Sequence, residues 1–180
     1  MRSPFHQLLL LILLAFLCFP AQAKTKLPKP MNHALNFGLL TVFGPGGGVN
    51  YEFLMDGFHG LLVESSVGSE HYAYMGGYRY HFSGAMESLF GGIYARYQYV
   101  EGSVTEFEKE FYYEISGASY GVNLGKRWVW ENGVNVALRI GGGPSLVKTK
   151  WKGGRQPLSG DILINSLTST DLEISFGFVF

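Results

Sequence analysis

The eleven residues that end the chain, Thr170 to Phe180, alternate in chemistry from Asp171 to Phe178 and stop on an aromatic residue. Leu172, Ile174, Phe176, Phe178 and Phe180 fall on one face, and Asp171, Glu173, Ser175 and Gly177 on the other. A period of two is that of a strand. An apolar, aromatic face backed by a charged one is the pattern of a strand set between lipid and a polar barrel interior.

The other end of the chain reads as an export signal. Arg2 supplies a positive start, Leu8 to Phe19 are apolar throughout, and Ala21-Gln22-Ala23 forms a small-x-small site before Lys24, which predicts cleavage after Ala23. The apolar run of twelve residues is too short to span a bilayer comfortably. Leu17 before Cys18 does not suit lipoprotein processing, which wants a small residue there. Loss of residues 1–23 removes the single cysteine, so neither a disulfide framework, a thiol nucleophile nor a thiolate metal site is expected. It also removes one positive charge, leaving the 14 Asp and Glu in excess by one, and a near-neutral chain is a poor partner for nucleic acid.

Turn signals divide the remainder into eight segments, an even number as single-chain bacterial barrels require. They run roughly His33 to Phe43, Val49 to Met55, Phe58 to Ser66, Tyr72 to Phe82, Glu87 to Val100, Tyr113 to Trp128, a seventh from Val134, and the terminal strand. Asp56-Gly57, Ser83-Gly84 and Asn132-Gly133 are tight connections on one side, whereas residues 101–112 and 144–169 are the longest stretches and fall on the other. The expected fold is an all-β, eight-stranded antiparallel up-and-down transmembrane barrel. Its expected parts are a cleaved signal (1–23), a short periplasmic leader (24–32) and the barrel (33–180).

Strand parity sends Glu52, Glu64, Arg79, Arg96, Arg139, Asp171 and Glu173 inward with Asn50, Gln98, Asn123 and Asn135. Buried charges must pair, which predicts a structural lumen network in which Arg79, Arg96 and Arg139 meet carboxylates. Tyr72, Tyr97, Tyr99, Tyr120, Trp128 and Trp130 are the candidates for interfacial aromatic girdles. Outside, Glu101, Glu106, Glu108, Glu110 and Glu114 make one loop acidic, and Lys148, Lys150, Trp151, Lys152 and Arg155 form a basic surface-contact loop suited to lipid phosphates.

No catalytic, cofactor or metal residues are expected. His33, His59, His71 and His81 have no metal-ligand spacing, and Gly44 with Gly46 to Gly48 lacks the Lys-Ser or Lys-Thr pair of a phosphate loop. Ser83, His81 and Glu87 lie close in sequence, but around a periplasmic turn rather than at an outer rim, so a hydrolase triad is not expected there.

Gly38-Leu39-Leu40 before Tyr51-Glu52-Phe53, Gly77-Tyr78-Arg79-Tyr80 before a short turn, Gly125-Lys126-Arg127-Trp128 before Asn132-Gly133, and the terminal Phe176-Gly177-Phe178-Val179-Phe180 resemble the small eight-stranded outer-membrane barrels. That superfamily includes outer-membrane protein X and the OmpA membrane domain, and within it the chain looks most like a poorly characterised family of short barrels. The resemblance implies residence in the bacterial outer membrane as a monomer. It also implies handling by periplasmic chaperones and the barrel assembly machinery, with Phe176, Phe178 and Phe180 as the assembly signal, and contact with outer-membrane lipids and lipopolysaccharide. The expected function is a non-enzymatic role in envelope integrity or surface interaction, with a narrow ion or small-solute channel as the alternative and a lipid-modifying enzyme behind both.

Overall fold

A computed structural model describes residues 31–41, 47–106, 109–152 and 170–180; the expected signal falls outside them, as does most of the leader. Alternating sequence becomes strand throughout: β1 (His33–Thr41), β2 (Gly47–Leu54), β3 (His59–Val67), β4 (His71–His81), β5 (Leu89–Glu106), β6 (Lys109–Val129), β7 (Val134–Gly142), β8 (Ser145–Lys152) and β9 (Thr170–Val179). All neighbours are antiparallel. The ring runs β1-β2-β3-β4-β5-β6-β7-β9 and returns to β1, so the expected eight-stranded barrel is the fold the chain adopts.

Closure is made by the chain ends. β1 pairs with β9 from Ala34 opposite Val179 to Thr41 opposite Glu173, with a bulge between Gly38 and Leu40. The His33 amide donates to the Phe180 carbonyl at 3.0 Å and the Phe180 amide returns the bond at 2.9 Å. No strand of the ring then keeps a free edge along its shared length.

Two of the tight turns use the same device. In the β2–β3 turn Asp56 Oδ1 accepts the amides of Phe58 and His59 (3.0 and 2.9 Å), and Gly57 takes a φ of 88° that a side chain would resist. In the β6–β7 turn Asn132 Oδ1 accepts the Val134 amide at 3.1 Å beside Gly133 at φ 81°.

The opposite side departs from expectation. Residues 101–112 do not form a loop: β5 continues to Glu106 and β6 begins at Lys109, paired through to Glu106 opposite Lys109. The first part of the stretch 144–169 is likewise strand, since β8 continues β7 along β6 after a break at Gly143-Pro144, where the Tyr120 amide donates to the Pro144 carbonyl at 3.2 Å. β4 stops at His71 opposite Val100, so β5, β6 and β8 rise past the ring as a three-stranded sheet. The β3–β4 connection on this same side is only residues 68–70, shorter than the topology led one to expect.

Burial alternates with the strand period. Val49, Tyr51, Phe53, Leu61, Val63, Ile93, Val122, Leu124, Phe176 and Phe178 are exposed on the outside, while Asn50, Glu52, Arg79, Arg96, Asn123, Arg139, Asp171 and Glu173 are buried inside. Val134, Val136, Leu138 and Ile140 take the outward parity and Asn135, Ala137 and Arg139 the inward one. The molecule is inside-out relative to a protein that buries its apolar groups from water.

Candidate functional site

The interior is built in layers. At the end with the tight turns, Ala34, Leu54, Met86, Val129 and Val179 form a buried apolar cluster, with Met31 packed against it. Met86 comes from the connection 82–88, which carries its side chain into the barrel mouth.

Next to this layer Glu52 gathers three side chains, two guanidiniums and an imidazole. Arg79 Nη1 reaches Oε2 at 2.6 Å, Arg127 Nη2 reaches the same oxygen at 2.8 Å, and His81 Nε2 lies 2.6 Å from Oε1. β2 and β6 stand on opposite sides of the ring, so the Arg127–Glu52 pair spans the lumen. Arg79 also stacks its guanidinium 4.3 Å from the centre of the Phe90 ring. Phe90 fits there because position 125 is glycine; a Cβ would strike its ring and come within 2.5 Å of the Leu138 carbonyl.

A second knot surrounds Arg139. Its guanidinium meets Glu173 at 2.6 Å, Asp171 at 2.8 Å and Glu64 at 3.0 Å. Glu64 stands on β3, opposite β7, which makes a second brace across the lumen. Asn50 Nδ2 donates to Glu173, Asn123 to Asp171 at 3.3 Å, and Arg96 lies 4.0 Å from Asp171 while donating to the Thr170 carbonyl at 3.0 Å. Across both knots four arginines, Arg79, Arg96, Arg127 and Arg139, face four carboxylates, Glu52, Glu64, Asp171 and Glu173, so these charges balance one for one. Such charges tolerate burial because each lies within 4.0 Å of an opposite charge.

The structure therefore brings together all seven residues placed in the lumen by parity, divided between two knots. Arg127 belongs with them and was not in the expected set; continuing the alternation from Asn123 and Gly125 by one more step would have found it. His81 completes the set as the third partner of Glu52.

One arrangement resembles catalytic machinery. Ser88 Oγ lies 2.7 Å from His81 Nδ1, and His81 Nε2 contacts Glu52, the contact order of a nucleophile–base–acid relay. All three are buried, and Glu52 is already engaged by two guanidiniums, so the hydroxyl has no face open to a substrate. The nearby Ser83–His81–Glu87 grouping does not form: Ser83 Oγ donates to the Glu87 backbone carbonyl at 2.8 Å. Among the described residues no group of three or more His, Cys, Asp or Glu is disposed to hold a metal.

The expected basic surface-contact loop needs correction. Lys148, Lys150 and Lys152 lie on strand β8 with their side chains outward. Trp151 has the opposite parity and packs inward on Tyr113 and Ile115. Arg155 lies outside the described residues, as do Glu106 and Glu108 in their side chains. Lys152 Nζ bridges Glu114 at 3.0 Å and Glu101 at 3.7 Å. The hydrogen bond to Glu114 and the charge of Glu101 push the Lys152 ammonium up, while the Tyr99 hydroxyl and then Lys152 hold the Glu101 carboxyl below the usual range.

Of the girdle candidates, Tyr72, Tyr97, Tyr120 and Trp130 are exposed, and Tyr99 and Trp128 are half-buried on the same outer face. Tyr72 and Tyr99 stack at 5.2 Å, and Lys126 lies over Trp128 at 5.1 Å. Phe176, Phe178 and Phe180 are exposed on the outside near the closing seam.

Neither the comparison with curated proteins nor that with solved structures returned a match. A family model described as a protein of unknown function (DUF3575) matches residues 7–156, which cover most of the chain. The chain belongs to that family.

Proposed function

We propose that this protein is a transmembrane barrel of the bacterial outer membrane, reached through a cleaved signal, and that it serves the envelope by its lipid-facing wall and outer hairpin rather than by catalysis or conduction. The carrying observation is the inside-out partition: large apolar side chains exposed around the wall and four arginines paired with four carboxylates within. In water these partly exposed side chains would forgo about 25 cal/mol for each Å² of apolar surface left wet, and in a bilayer that cost disappears. The likeness to outer-membrane protein X and the OmpA membrane domain, including the terminal Phe176, Phe178 and Phe180, supports the same location and the same assembly by periplasmic chaperones and the barrel machinery.

Against a channel stand the two lumen braces, Arg127 to Glu52 and Arg139 to Glu64, together with the apolar cluster at the mouth. An ion would have to break a desolvated ion pair and cross an apolar layer. The experiment is reconstitution of the purified protein in lipid vesicles and then in a planar bilayer. Heat-modifiable migration with no discrete conductance supports this reading, a monomer soluble without detergent contradicts the barrel in lipid, and reproducible single-channel steps contradict the sealed lumen.

A further inference from the structure

Three neighbouring strands change the chemistry of their outer face at the same register. On β8 the outer residues run Leu146, Lys148, Lys150, Lys152; on β6, read in the matching direction, Ala118, Ser116, Glu114, Tyr112; on β5, Tyr97, Tyr99, Glu101, Ser103. Leu146 is 67% exposed and shares its row with Ala118, Tyr97 and Tyr74, whereas the next row holds Lys148, Ser116, Tyr99 and Tyr72. The tyrosine belt covers both rows, with Tyr74 and Tyr97 in the first and Tyr72 and Tyr99 in the second, and on β8 the outer face passes from Leu146 to charge within that belt, where Lys148 stands.

We infer that Lys148 and Lys150 form a binding site for the phosphate groups of outer-leaflet lipid, an inference that rests on the membrane reading above. Successive outward residues on a strand are separated by roughly 6.8 Å, so the two ammonium groups sample the depth of a headgroup layer. Interfacial tyrosines mark that layer because their rings stay with acyl chains and their hydroxyls with headgroups. Charge complementarity selects the occupant. Glu101 and Glu114, the acids beside this ladder, are already bridged by Lys152, while among the described residues neither Lys148 nor Lys150 enters an ion pair. Their positive charge is thus directed at whatever lies against the outer wall, and a phosphorylated lipid supplies the counter-charge where the chemistry of the wall changes.

The test uses the full protein in phosphatidylcholine vesicles, with and without diphosphoryl lipid A, against a K148Q/K150Q variant and a K126Q control at the opposite rim. Wild type and K126Q should bind diphosphoryl lipid A with equal affinity, and the double variant roughly thirtyfold more weakly, from about a decade and a half for two surface lysines. A dephosphorylated lipid A should bind wild type no better than it binds the variant. Equal binding of the phosphorylated and phosphate-free lipids, or an unchanged affinity in K148Q/K150Q, overturns the site while leaving an inserted barrel intact. Failure of the wild type to insert into any vesicle overturns both readings.

Discussion

Arg127 and Glu52 come from strands on opposite sides of the barrel, β6 and β2, and meet at 2.8 Å across the lumen. One layer further, Arg139 and Glu64 repeat the arrangement from β7 and β3 at 3.0 Å. These two braces make the interior a structural element.

Replacing Arg139 by Leu leaves Glu64, Asp171 and Glu173 facing each other without the guanidinium that joins them. Removing one partner of a buried ion pair costs about 3–5 kcal/mol, because the remaining charge stays desolvated. Urea unfolding in vesicles should show that loss, and adding Glu64→Gln and Asp171→Asn should recover part of it. Unchanged stability in the single variant would contradict the network.

Gly125→Ala tests packing rather than charge. The new Cβ would meet both the Phe90 ring and the Leu138 carbonyl, displacing the ring that Arg79 stacks on. Overpacking of this kind costs about 1–3 kcal/mol, and thermal unfolding should read it.

Asp56 predicts a local pH dependence. The amides of His59 and then Phe58 hold its carboxyl below the usual carboxylate range. A group with a lowered folded pKa stabilises fully above its unfolded value, about 4, and that contribution is lost as pH falls through the lower folded value. The protection factors of the Phe58 and His59 amides, with exchange corrected for its intrinsic pH dependence, should therefore fall on acidification, and Asp56→Ala should abolish that fall. An exchange profile unaltered by Asp56→Ala would contradict the turn geometry.

Deleting Phe180 removes two reciprocal backbone hydrogen bonds with His33 and a ring stacked on it at 5.6 Å. Barrel closure should suffer before the lumen does. Slower or incomplete folding into vesicles, with the folded fraction retaining near-normal urea stability, is the expected outcome; an unchanged folding yield would argue against the terminal role.

Much of this was legible from alternation. Lys148 to Lys152 and residues 101–112 were not, and the reason is physical. A strand that rises past the apolar wall has no need of an apolar outer face, so Leu146-Val147-Lys148-Thr149-Lys150 carries the charge of a loop while keeping the hydrogen bonds of a sheet. Arg127 was missed at the end of a strand, where parity is least secure beside the Trp128-Val129-Trp130 run. The contacts of Glu52 were hidden for a different reason: period tells which side of a strand a residue faces, whereas a brace from β2 to β6 depends on the circumference of the closed ring. Met86 lay in a connection that sequence pattern alone cannot aim.

The central claim is that lipid contacts the outer wall while charged groups satisfy one another within, and site-directed spin labelling tests it most directly. With Cys18 lost along with the signal, single cysteines introduced at the neighbouring positions Val122 and Asn123 would be labelled in the vesicle-bound protein, one on each side of β6. The account predicts that a label at 122 collides with dissolved oxygen and is shielded from a water-soluble nickel relaxant, while a label at 123 is reached poorly by both. Ready access of the nickel relaxant to position 122 would contradict it.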